Sequence, residues 1–134
     1  MAKLEIIEGI GPVYAAKLRE NGIRTIEALL EVGATPAGRR QLEEKTGIYH
    51  ALILEWVNLA DLMRIKGVGE EYSDLLEEAG VDTVRELRNR VPEHLYQAIV
   101  RINQQKKLVR RVPTLKMVRD WVQQARTLPP KLTY

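Results

Sequence analysis

The run Ile7-Glu8-Gly9-Ile10-Gly11-Pro12-Val13-Tyr14-Ala15 holds one apolar residue between two glycines, directly ahead of a helical pattern. Glycine accepts the tight backbone path that such a turn needs, and the enclosed Ile10 plugs the turn into a core. Gly11 precedes Pro12, whose fixed φ and missing N–H suit the first position of a helix. Tyr14, Ala15 and Leu18 then recur at helical spacing until Gly22 offers a left-handed stop. A helix of about ten residues is predicted.

The same run returns as Ile65-Lys66-Gly67-Val68-Gly69-Glu70-Glu71-Tyr72-Ser73. A shift of 58 aligns residues 7–31 with 65–89 without a gap and pairs identical residues at nine positions, Tyr14 with Tyr72 and Thr25 with Thr83 among them. A second match, at a shift of 65, sets Glu55-Trp56-Val57 and Ala60 against Asp120-Trp121-Val122 and Ala125, so the second copy is seven residues longer. Repetition of this regularity marks a duplicated supersecondary unit. Thr25 and Thr83 are predicted N-caps, the latter in a capping box with Glu86. Thr35-Pro36 and Pro92 open two further helices, Tyr49 to Met63 forms another, and Thr114 caps the last, which carries Trp121 and stops before Pro129-Pro130. No alternating run reads as a strand.

These elements predict an all-α fold of two tandem repeats with additional helices, related by a pseudo-twofold, with repeats at 1–64 and 65–134. At 134 residues the chain suits one compact body better than two independent domains. Phenylalanine is absent, so the core is aliphatic with two Trp and five Tyr as its large rings. Trp56 and Trp121 sit among apolar residues at helical spacing, the pattern of core packing, and Tyr14 and Tyr72 read as packing supports for the turns. Without cysteine there are no disulfides, thiolate metal sites or cysteine nucleophiles. The N-terminal run Met1 to Gly9 has acids where a secretory peptide needs an apolar stretch, and no segment reaches membrane-spanning length. A soluble, cytoplasmic protein is expected, with no membrane partner.

The formal charge of +3 conceals strong segregation. Residues 66–82 hold one Lys against six acids, whereas residues 101–119 hold seven bases, Arg101, Lys106, Lys107, Arg110, Arg111, Lys116 and Arg119, and no acid. Much of this cluster lies in the longer stretch of the second copy. The spacing of Lys106, Lys107, Arg110 and Arg111 puts two pairs on one helical face, or leaves them in a basic connector if the helix ends near Gln105. Seven bases without an acid exceed what solubility requires and suit phosphates.

The glycine runs resemble the helix-hairpin-helix superfamily, and the tandem arrangement with trailing Trp helices resembles an uncharacterised domain-of-unknown-function family of duplicated hairpin units. The resemblance covers nearly the whole chain. It implies sequence-independent binding of nucleic-acid backbones, with paired units contacting both strands across a minor groove. It places phosphate contacts at the backbone of Gly9, Ile10 and Gly11, and at the matching Gly67, Val68 and Gly69. This chain departs from the basic pattern of DNA-binding members by placing Val13 and Glu71 two positions after the second glycine. Glu70 and Glu71 answer the helix dipole and repel phosphate, which discounts the second hairpin. Lys17, Arg19 and Lys3 support the first.

No enzyme is expected. His50 and His94 are not equivalent across the repeat and lack partners for metal binding or acyl transfer. The Gly9-Ile10-Gly11 string has Tyr14 where a dinucleotide fingerprint needs its third glycine, and no strand precedes it. No cofactor, metal or small-molecule substrate is implied. The leading expectation is nucleic-acid binding through Gly9, Ile10, Gly11, Lys17, Arg101, Lys106, Lys107, Arg110, Arg111 and Lys116. The competing expectation is a protein-interaction or scaffold module, in which the acidic and basic segments direct docking or self-association. Arg39-Arg40 beside Gly38 reads as a small exposed basic spot, and the tail from Pro129 to Tyr134 carries no signal.

Overall fold

The computed structural model describes residues 3–134, and among these all regular structure is helical. A 3-10 turn, Leu4–Ile6, is followed by α1 (Pro12–Glu20), α2 (Ile26–Gly33), α3 (Pro36–Thr46), α4 (His50–Leu62), α5 (Glu70–Glu78), α6 (Val84–Leu87), α7 (Pro92–Lys106) and α8 (Leu115–Thr127). The chain forms two compact units. The first runs through Asp61 and includes Lys131–Tyr134; the second is Leu62–Pro130.

In the first unit the N–H of Ile10 donates to the Ile7 carbonyl at 3.1 Å, closing a four-residue turn with Gly9 in third place. That place demands a positive φ, and Gly9 has φ +93°. Beneath the turn lies Trp56, 1% exposed, and a Cβ on Gly9 would stand 3.2 Å from its indole Nε1. Glycine is therefore required twice, by backbone conformation and by the close indole. Tyr14, from the first turn of α1, tilts against Trp56 with ring centroids 5.1 Å apart. Thr25 caps α2 by accepting from the Ala28 N–H, and Thr35 caps α3 by accepting from the Gly38 N–H.

The tail belongs to this unit. The Thr133 N–H donates to the Ala34 carbonyl at 2.8 Å, Leu132 is buried, and the Tyr134 hydroxyl donates to Asn58 Oδ1 at 3.1 Å. Arg39 grips it, donating to the carbonyls of Gly33 (2.8 Å) and Thr133 (2.7 Å) while lying 5.6 Å from the Tyr134 ring centroid. Arg39 is thus a half-buried structural clamp instead of an exposed basic spot, and Arg40 alone of that pair is exposed. Partial burial lowers its pKa from the ordinary value, against the opposing pull of Tyr134. A guanidinium stays charged under such a shift.

The second unit uses the same local devices. Val68 N–H closes onto the Ile65 carbonyl at 3.1 Å, Gly67 has φ +98°, and a Cβ there would meet Trp121 Nε1 at 3.1 Å. Tyr72 tilts against Trp121 at 5.3 Å. Thr83 accepts from the Glu86 N–H, but the Glu86 carboxylate turns toward Arg90 at 3.8 Å, so the capping box is half made. One support differs. Gln124 of α8 accepts from the Lys66 N–H and donates to the Lys66 carbonyl, fastening this turn from outside. Its counterpart at the 65-residue shift is the buried Leu59, which has no polar group to do the same. Leu75, Leu76, Leu95, Ile99, Val118 and Val122 close the core around Trp121.

Candidate nucleic-acid interface

Gly9, Ile10, Gly11 and Lys17 lie in the first unit. Ile10 is 3% exposed and its N–H is engaged within the turn. The amides beyond the reach of the helical ladder are therefore those around Gly11, the N-cap of α1, together with Val13 and Tyr14. A Cβ on Gly11 would meet nothing within 4 Å, so folding makes no steric demand for glycine there. Lys17 is exposed on α1, whereas Arg19 is held by Glu5 at 2.7 Å. That bond, with the backbone and the charge of Arg19, holds the Glu5 carboxyl below its ordinary pKa.

The basic segment lies wholly in the second unit, and two of its seven bases are engaged. Lys106 pairs with Glu78, and Arg119 pairs with Glu93 at 3.0 Å. The Glu93 carboxyl is held below its ordinary pKa first by its own backbone N–H and then by Arg119. Arg101, Lys107, Arg110, Arg111 and Lys116 are exposed, and their side chains make no hydrogen bond or ion pair within the described residues.

Helix α7 stops at Lys106, so the bases after it occupy a connector, one of the two arrangements the spacing allowed. The connector is pinned. The Asn103 side chain accepts from the Val109 N–H at 3.0 Å and donates to the Val109 carbonyl at 3.1 Å, a side chain imitating a strand partner. Val109 is buried, Leu108 and Val112 pack on the core, and the Tyr72 hydroxyl donates to the Arg111 carbonyl at 3.0 Å. With its apolar residues turned inward, the connector turns Lys107, Arg110 and Arg111 to solvent.

Two lysines stand where local preference opposes them. Lys107 is the only non-glycine of positive φ among the described residues (φ 50°, ψ 46°), at the helix-ending position where glycine is usual. That conformation costs about 1–2 kcal/mol for a residue with a Cβ. Lys116 lies in the first turn of α8, where the helix dipole disfavours a cation by about 0.3–1 kcal/mol. Among the described residues no group of three His, Cys, Asp or Glu side chains could hold a metal ion, and no helix is long and apolar enough to cross a membrane.

A chain of helical units nucleated on glycine turns, each seated on a buried tryptophan, is the class that this geometry defines. The family model described as a domain of unknown function, DUF4332, matches residues 8–128, and the chain belongs to that family. No curated protein and no solved structure matches it.

Proposed function

We propose that this protein is a non-enzymatic nucleic-acid-binding module, that its two glycine-turn units are tandem helix-hairpin-helix repeats, and that the contact is made to phosphates without reading sequence. The carrying observation is the pinned connector, which presents Lys107, Arg110 and Arg111 unpaired on a backbone fixed by Asn103 and Tyr72. Positions that break a local rule without structural gain are where function is expected, and Lys107 and Lys116 are two such positions in one segment. Preorganisation lowers the ordering cost of binding. The amides at the start of α1 supply a second contact of the kind that helix N-termini make with phosphate.

The test is fluorescence-anisotropy titration of labelled oligonucleotides at about 50 mM salt, where phosphate contacts are strongest. The triple variant Lys107→Glu/Arg110→Glu/Arg111→Glu is compared with the wild type, and circular dichroism verifies that both are folded. Binding lost in the variant supports the reading. Absence of binding by the wild type overturns it and favours a protein-docking module, for which Val13, 69% exposed beside the first glycine turn, is the supporting feature.

A further inference from the structure

We infer that the outer face of α7 is a single-strand site, taking an unpaired nucleobase on Tyr96 while Arg101 and the connector hold the adjoining phosphates. This inference rests on the proposed function and names its substrate. A shallow, open depression of about 420 Å³ lies along the surface of α7, lined by Tyr96, Gln97, Val100, Arg101 and Gln104. Its composition is specific: a phenol ring, a guanidinium plane, and two carboxamides that can each both donate and accept. Rings and guanidinium planes stack on bases, and carboxamides hydrogen-bond to base edges. Gln97, Arg101 and Gln104 fall at helical intervals of four and three, so they share one face.

The connector follows directly on the C-terminal end of α7, which stops at Lys106. From Arg101 to Lys107 the rise is about 9 Å at 1.5 Å per residue, and the interval contains no acid. Two acids that would oppose a polyanion are already answered: Glu93, near the start of α7, by Arg119, and Glu78 by Lys106. The charged side chains left without partners along this path, Arg101, Lys107, Arg110 and Arg111, are all cations. A duplex must unpair and unstack a base before lending it to Tyr96, a cost that a single strand largely avoids.

The experiment compares oligothymidylate and oligouridylate of about 20 nucleotides, longer than a typical single-strand site, with a duplex of equal length. The probes are titrated on the full chain, and on Tyr96→Leu and Arg101→Gln. Tyr96→Leu keeps the apolar contact with the core and removes the ring; Arg101 is exposed, so its replacement leaves folding intact. The expected result is tighter binding of single strand than duplex, with loss of about tenfold in single-strand affinity for Tyr96→Leu, the size of one stacked base. Arg101→Gln should lose a similar factor, and duplex binding should be unchanged by Tyr96→Leu. Equal single-strand and duplex binding, with Tyr96→Leu harmless, overturns the single-strand site and leaves phosphate binding intact. No binding of any probe overturns both.

Discussion

Gly67→Ala should be among the most damaging single-methyl additions to this protein, and Gly69→Ala, two residues away, nearly silent. Gly67 has φ +98°, where an L side chain is strained by about 1–3 kcal/mol. The new methyl would also stand 3.1 Å from Trp121 Nε1. Trp121 cannot retreat, because it is 2% exposed and braced by Tyr72. Displacing it disturbs the core on which the turn sits, and overpacking of this kind adds about 1–3 kcal/mol. The total is about 3 kcal/mol, a fall in melting temperature of about 10 °C or more. Gly69 has φ −110° and open space at its Cβ position, so alanine there should stay within about 1 kcal/mol of wild type, a modest loss of N-cap preference against a stiffer unfolded chain. Thermal and urea denaturation of both variants measure the difference. If Gly67→Ala melted with the wild type, the joint demand of backbone conformation and indole contact would be refuted.

Lys107→Gly should raise stability by about 0.5–1 kcal/mol, because it removes left-handed strain, while weakening nucleic-acid binding; paired denaturation and binding curves show the two effects diverging. Asn103→Leu strands the Val109 N–H and carbonyl and should cost about 1–3 kcal/mol, with faster amide exchange at Val109 as the local signature. Arg39→Ala should release the tail, seen as lost protection of the Thr133 amide, whose acceptor is the Ala34 carbonyl. The Glu5 pKa is depressed in the folded chain, so its contribution to stability is present above the ordinary carboxylate pKa and disappears as pH falls through the lowered value. A carboxyl NMR titration should show Glu5 returning toward its ordinary value in Arg19→Gln.

What the sequence made legible was local. The turn conformations of Gly9 and Gly67, the helix start at Pro12 and the caps of Thr25, Thr83 and Thr114 are each set within a few residues, so their pattern carries the turns, caps and helices. Trp56 and Trp121 were legible as core because helical spacing places them among apolar neighbours. What stayed hidden was long-range. The clamp of Arg39 on Thr133 spans 94 positions, and the Lys106 pair with Glu78 spans 28. No local spacing announces either, which is why Arg39 read as exposed, Lys106 as free and the tail as silent. The connector is intermediate: Pro113 forbids an unbroken helix into α8, but only the bonds of Asn103 show that the basic stretch is held in place. Lys107 carries no conformational signal in sequence, since lysine gives no hint of a left-handed backbone.

The central claim is that cations presented by the connector meet phosphates, and the salt dependence of binding tests it most directly. With contacts at Arg101, Lys107, Arg110 and Arg111, a log–log plot of affinity against salt should have a slope of about −2.8 on single strand, or about −3.6 if duplex is bound. Arg110→Gln should flatten it by about 0.7 or 0.9 respectively, one contact's share. A slope near zero, or one unchanged by Arg110→Gln, would contradict the account.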